Sequence, residues 1–245
     1  MTAPAPTFAK GLAGVVAAQT ALSSVDGTKG ILTYRGLNIH DLAGNVEYEE
    51  AAYLLLYGSM PTATQLAKFK KDLATHRKLP KGILDLIKST PKKAVPMDTL
   101  RTAISALAFY EKEVDDISVE ATRRKGIRLT AQFPSVVAAI QRARKGKSIV
   151  SPKAAMGHAE NFFYMLHGVK PNKLETDSMN LYLVLLADHS LNASTFTARV
   201  ASSTNADLHA AVTAALGALK GNLHGGAAEA RMNTLLKIGT LDKVD

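Results

Sequence analysis

Neither cysteine nor tryptophan occurs among the 245 residues. Without a thiol there is no disulfide framework, no thiolate metal site and no cysteine nucleophile. Aromatic residues are scarce at 6%, and the net charge of +9 comes with no nucleic-acid recognition motif. The basic clusters at 123–125 and 142–147 therefore read either as solvated surface or as a positive field that draws in anionic substrates. Composition leaves both open, and no nucleic-acid partner is expected. Long apolar runs are absent too. The longest, residues 181–187, falls far short of the roughly 20 residues that span a bilayer, so no membrane association is expected. The N-terminus MTAPAPTFAKGLAG has neither the basic and apolar regions of a signal peptide nor the Arg-rich character of a transit peptide. The expected location is the cytoplasm. H-E-x-x-H, a P-loop, G-x-G-x-x-G after a strand and G-x-S-x-G are all missing.

What is present is an ordinary globular composition, 47% hydrophobic and 21% charged, in a chain long enough for one large domain or one domain plus part of a second. Residues 1–20 are rich in Ala, Gly and Pro and are expected to be extended. In SSVDGTKGILTYRG, residues 23–36, the alternation at Ile31, Thr33 and Tyr34 with Asp26-Gly27 and Lys29-Gly30 as turn signals predicts a short hairpin, the only β-structure. Helical periodicity follows over 49–57, 62–75, 81–89, 97–113, 121–145, 151–166, 177–188, 192–203, 206–219 and 227–237. Pro134 predicts a kink or break near Phe133. The stretch 192–219 is dense in Ala, Ser, Thr and Gly. Small side chains let helix axes approach closely, so it is expected to be deeply buried or to lie at a subunit interface. The Gly-rich segment 221–226 is the candidate hinge or domain boundary. The fold class is all-α, with a large helical domain over 1–220 and the beginning of a small domain over 221–245.

In a chain without cysteine the seven histidines are the natural place to look for chemistry. His224 lies in GNLHGGA, between two helical stretches. Glycines on both sides permit positive φ and close approach of a ligand. The helix that follows directs its positive end back at the loop, which favours a neutral imidazole able to polarise a carbonyl. An incidental histidine in a Gly-rich loop is the plainer reading. His189 lies in ADHSLNAST, at a junction of two helices, with Asp188 and Ser190 as possible caps. Asn192, Thr195 and Arg199 share a face by their spacing. Such a set suits a small dicarboxylate, and it equally suits a capped helix start with a polar face. His40, His76, His158, His167 and His209 read as structural or surface residues, and no metal site is expected.

Six collinear segments now matter together: SSVDGTKGILTYRGLNIHDLA, EEAAYLLLYGSMPT, PMDTLRTAISALAFYE, NFFYMLHG, ADHSLNASTFTARVASS and GALKGNLHGGAAEA. They resemble the bacterial and archaeal citrate synthases from about residue 11 to the end. DH-x-x-NASTF followed by LHGGA is the most specific part, and it fits the 2-methylcitrate synthases as well. The resemblance implies a mostly helical homodimer with a large domain and a smaller one that closes over substrate. It implies that His189, with Asn192, binds oxaloacetate and that His224 is catalytic, polarising the thioester carbonyl of acetyl-CoA. The reaction is then a Claisen-type condensation followed by thioester hydrolysis. It uses acetyl-CoA as a substrate and needs no metal or redox cofactor.

Against the usual pattern, Ala228 stands for Asn, Asn222 for Pro and Ser190 for an acidic residue. The resemblance also implies that the G-H-R-x-Y segment with a second catalytic histidine, the base aspartate, the carboxylate-binding arginines and most of the CoA site fall beyond Asp245. The chain is thus read as a C-terminally truncated citrate synthase, inactive on its own. The alternatives are a 2-methylcitrate synthase using propanoyl-CoA and a non-catalytic paralogue that acts in dimerisation or regulation.

Overall fold

The computed structural model describes residues 15–240. Residues 1–14 of the expected extended opening and residues 241–245 of the expected small-domain start lie outside them. The described chain begins with a meander rather than a single hairpin. Strands β1 (Ser23–Asp26), β2 (Ile31–Tyr34) and β3 (Leu37–Asn38) pair antiparallel in the order β1-β2-β3. The third strand follows from Gly36, whose φ of 87° lets the chain reverse again directly after β2.

Helices α1 (Ile39–Leu42), α2 (Tyr48–Tyr57), α3 (Ala63–His76), α4 (Lys81–Ser89), α5 (Pro96–Ala106), α6 (Val119–Arg144), α7 (His158–His167), α8 (Lys173–Leu185), α9 (Ala193–Ser202), α10 (Leu208–Leu219) and α11 (Gly226–Ile238) follow. Their ends are set by local chemistry. Reciprocal capping boxes open α2 (Glu47 with Glu50), α3 (Thr62 with Gln65) and α8 (Asn172 with Glu175). Gly58 and Gly168 close α2 and α7 in the left-handed conformation.

Three apolar clusters hold the layers together. Ile83, Ile87, Leu100, Ile104, Val136 and Ile140 join α4, α5 and α6, and Leu216 of α10 packs onto them. Tyr53, Phe69, Leu73 and Ile127 join α2, α3 and α6. Tyr34, Leu42, Leu54 and Val184 fasten the sheet to α2 and α8.

Several boundaries differ from expectation. The 97–113 helix ends at Ala106 and tightens into a 3-10 turn, Leu107–Tyr110. Residues 151–157 are not helical. Asn161 Oδ1 accepts from Lys153 N at 2.8 Å, and Arg77 donates to the carbonyls of Lys153 (3.1 Å) and Met156 (2.6 Å), so side chains satisfy that backbone instead. α8 starts earlier than expected, at Lys173, because of its capping box. α6 passes through Pro134 without a break. A mid-helix proline costs about 3 kcal/mol, and α6 offsets this by burying Leu129, Ala131, Val136 and Ile140 around it.

The small-residue stretch is only half as expected. α10 buries His209, Ala211 and Leu216, but α9 buries no residue. α9 is therefore a surface helix of this chain, laid on α10, and deep burial does not apply to it. Leu181, Tyr182, Leu185, Leu186 and Val200 are also exposed nearby. Among the described residues no helix is long and apolar enough to cross a membrane.

Candidate functional site

The site is built at the N-terminal end of α9. α8 ends at Leu185, and the chain turns through residues 186–192 before α9 begins. His189 sits exposed in this turn. Ser190 follows it with φ 57°, a left-handed conformation unusual for a residue with a side chain. Asn192 is the N-cap of α9. Its backbone is extended, and its Oδ1 accepts from Thr195 N at 3.0 Å. A cap of this kind stabilises a helix by about 1 kcal/mol.

Ser194 connects this cap to the glycine-rich loop. Its Oγ donates to Asn192 Oδ1 at 2.7 Å and lies 3.0 Å from His224 Nε2. The direction of this chain of bonds follows from its end. A backbone N–H points at the Asn192 atom, so that atom is the amide oxygen, which only accepts. Ser194 gives its one proton to that oxygen, and so it accepts from His224. The ring proton of a neutral His224 is therefore on Nε2, and Nδ1 is left as an acceptor. His224 and His189, 35 positions apart in sequence, are both brought to the same end of α9.

The loop holding His224 is folded tightly onto the end of α10. His224 N donates to Gly221 O at 3.0 Å, Gly225 N to Leu219 O at 3.0 Å and Gly226 N to Gly221 O at 3.4 Å. None of Gly221, Gly225 and Gly226 has positive φ, so this one of the two expected reasons for glycine does not hold. The reason at position 225 is space: a Cβ there would stand 2.1 Å from Leu219 O. α11 starts at Gly226, just beyond His224, as expected from the sequence.

Thr195 and Arg199, four apart within α9, share one face of it. Arg199 is exposed, and its Nη1 donates to Gln19 O at 2.8 Å, tying α9 to the N-terminal segment. Asn192 lies ahead of the helix as its cap, with its side chain turned to Thr195 N. Sequence reasoning missed Ser194, Tyr34 and Ser23. Tyr34 and Ser23 reach this region across 150 or more positions, through hydrogen bonds to Val184, Leu185, Asp188 and Ser190.

Two of the remaining histidines are buried. His158 is buried, its ring lies 4.8 Å from that of Tyr48, and burial with the nearby Arg77 guanidinium lowers its pKa to about 3. His209 is also buried, and its pKa is lowered chiefly by desolvation. Among the described residues no three His, Asp or Glu side chains are grouped to hold a metal.

Residues 11–245 match the family described as "Citrate synthase, C-terminal domain". The chain belongs to the citrate synthase family. It is 44% identical to a citrate synthase of Deinococcus radiodurans over 238 residues, covering 97% of this chain and 63% of that protein. It is likewise 44% identical to 2-methylcitrate synthase 2 of Corynebacterium glutamicum over 239 residues, covering 96% of this chain and 62% of the relative. Among solved structures, it is similar to the citrate synthase of Thermoplasma acidophilum in ternary complex with carboxymethyl coenzyme A and oxaloacetate. The TM-score is 0.89 at 33% identity, covering 96% of this chain and 61% of that one. The chain thus spans somewhat over three fifths of the length of these relatives. The all-α fold with a small N-terminal sheet is the fold of this family.

Proposed function

We propose that the chain supplies the oxaloacetate side and the enol-stabilising histidine of a citrate synthase site. The observation that carries this reading is the Ser194–His224 contact at 3.0 Å, which joins the LHGG loop to the end of α9 where Asn192 and His189 lie. In this reading His189 and Asn192 bind oxaloacetate. An aspartate from the part of the family's length that this chain does not span takes the methyl proton of acetyl-CoA. His224 donates a hydrogen bond to the thioester oxygen as the enolate charge develops there. The enol carbon attacks the oxaloacetate ketone, and water then cleaves the thioester to give citrate and CoA.

The hydrogen-bond chain adds a condition. Nε2 of His224 already faces Ser194, so Nδ1 is the nitrogen available to the substrate. To donate, it must carry the ring proton. Solvent must take up the Nε2 proton and supply one to Nδ1, after which the Ser194 hydroxyl turns from Asn192 to donate to the freed Nε2. Until then Asn192 and Ser194 hold the neutral ring in its Nε2–H form. This acid–base chemistry needs neither a metal nor a redox cofactor.

The same site serves a 2-methylcitrate synthase with propanoyl-CoA as donor, and the equal identity to relatives of both names keeps that second reading in play. One methylene is worth only about 1–3 kcal/mol of discrimination. We further propose that the protein works in the cytoplasm and as a homodimer. The exposed Tyr182, Leu186 and Val200 on the α8–α9 side suit such an association. The 245 residues alone, without the base and the carboxylate-binding arginines, are proposed to be inactive.

A chimera tests the function. This chain is fused to the remaining C-terminal portion of the Deinococcus radiodurans enzyme, and thiol release is followed with oxaloacetate and either donor. The account expects turnover from the chimera, with acetyl-CoA preferred, and none from the unfused chain. A folded chimera that is a dimer yet releases no thiol with either donor would favour a non-catalytic paralogue. Turnover by the unfused chain that disappears in His224→Ala would contradict the inactivity claim.

A further inference from the structure

The turn that carries His189 is fastened to the N-terminal sheet from both sides. Tyr34, the last residue of β2, is fully buried, and its ring packs among Ile39, Leu42, Leu54 and Val184. Its hydroxyl lies 3.0 Å from Val184 O, 3.1 Å from Leu185 O and 3.1 Å from Asp188 O, and it accepts from Asp188 N at 3.3 Å. The carbonyls of Val184 and Leu185 belong to the last turn of α8, and that of Asp188 to the turn beyond it. A single phenolic proton is shared among them, and burial raises the Tyr34 pKa, which keeps that proton in place.

Ser23 stands directly opposite Tyr34 in the β1–β2 register. Its Oγ donates to Asp188 Oδ2 and accepts from Ser190 N at 2.9 Å, while Asp188 Oδ2 accepts from the same N–H at 2.9 Å. The residues on either side of His189 are thus both held, including Ser190 in its left-handed conformation, which costs about 1–2 kcal/mol. The His189 ring is exposed, and no described residue hydrogen-bonds to it. The backbone on either side therefore fixes where its Cα–Cβ bond points and so the space the ring can reach.

We infer that Tyr34 and Ser23 are positioning residues for His189, acting through the backbone of residues 184–190. This deepens the reading of His189 as the oxaloacetate ligand and rests on it.

The test uses the chimera described above, which restores the carboxylate-binding part of the site, with 15N-labelled imidazoles, as wild type, Tyr34→Phe and Ser23→Ala. Tyr34→Phe keeps the buried ring and loses only the hydroxyl. In both variants the ring signals of His189 are expected to shift or broaden, while those of His158 stay in place. On titration with oxaloacetate, wild-type His189 responds, and each variant binds about three- to tenfold more weakly, the equivalent of one lost hydrogen bond. If the melting temperature falls but the His189 signals and the affinity are unchanged, the hydroxyls are merely structural and the inference is wrong. If wild-type His189 ignores oxaloacetate, the functional reading fails, and the ligand-free spectra still decide whether the sheet positions the ring. Should Tyr34→Phe not fold, Ser23→Ala, which leaves the core untouched, decides alone.

Discussion

Gly225→Ala is the substitution to which the site should be most sensitive. A Cβ at 225 would lie 2.1 Å from the carbonyl oxygen of Leu219, whereas even close C···O contacts are about 3.3 Å. The loop must withdraw by about 1.2 Å, the difference between these two figures. The obstacle is backbone at the end of α10, so it cannot rotate away as a side chain would. The same oxygen accepts the 3.0 Å bond from Gly225 N, and withdrawal breaks that bond. Losing it costs about 1 kcal/mol, and overpacking adds about 1–3 kcal/mol. The expected destabilisation is about 2–4 kcal/mol, read as a fall of about 2–4 °C in Tm for each kcal/mol in a chain of this size. The displaced loop also carries His224 away from Ser194. Gly217→Ala is the control. That glycine is exposed on α10, and a Cβ there meets nothing within 4 Å. Alanine there should stabilise the helix by about 0.5–1 kcal/mol. Differential scanning calorimetry reads both signs, and imidazole spectra read the His224 environment. If Gly225→Ala melts like wild type with the His224 signals unmoved, the tight loop described above is wrong.

Ser194→Ala removes the acceptor of the Nε2 proton, so the 15N shifts of His224 should move towards a tautomer mixture; unchanged shifts would mean that Ser194 does not set the tautomer. His158 should make the fold acid-sensitive. Its pKa is about 3 in the folded chain against 6.5 ordinarily, so below pH 6.5 the unfolded state takes up a proton that the native state refuses. That contribution to stability is intact above pH 6.5 and falls by about 1.4 kcal/mol per pH unit on the way down towards 3. His158→Phe, which keeps a ring beside Tyr48, should show a smaller loss of urea resistance between pH 7 and pH 5 than wild type; an equal loss refutes the assignment. For assembly, sedimentation is expected to show a dimer, and Tyr182→Lys should weaken it by about 2 kcal/mol, typical of an aromatic at an interface centre. A wild-type monomer would remove the homodimer proposal.

The parts of the molecule that were legible in the sequence are those determined locally. The bounds of α4 follow from Pro80 before it and Thr90 after it. The position of His224 between α10 and α11 followed from the glycines around it, and that of His189 between α8 and α9 from the helix junction. The reason for the glycines was not legible, because the clash at 225 is with a carbonyl six positions back across a folded loop. Ser194 was overlooked because residues two apart on a regular helix face different ways. The pairing with Asn192 arises only because Asn192 is the non-helical cap. Tyr34 and Ser23 looked like ordinary strand residues. Their hydroxyls meet the end of α8 through tertiary packing that periodicity does not encode. Of the two expectations for the small-residue stretch, deep burial does not hold for α9, because close approach to α10 on one side does not require burial on the other.

The central claim divides the labour between two histidines: His189 holds oxaloacetate and His224 works on the thioester. The most direct test is steady-state kinetics of the active chimera carrying His189→Ala or His224→Ala. For His224→Ala the account predicts a fall in kcat of about 10²–10⁴, the range for losing a positioned proton donor, with the oxaloacetate KM little changed. For His189→Ala it predicts a raised oxaloacetate KM. Wild-type kcat in His224→Ala, or an oxaloacetate KM in His189→Ala equal to that of the parent, would contradict it.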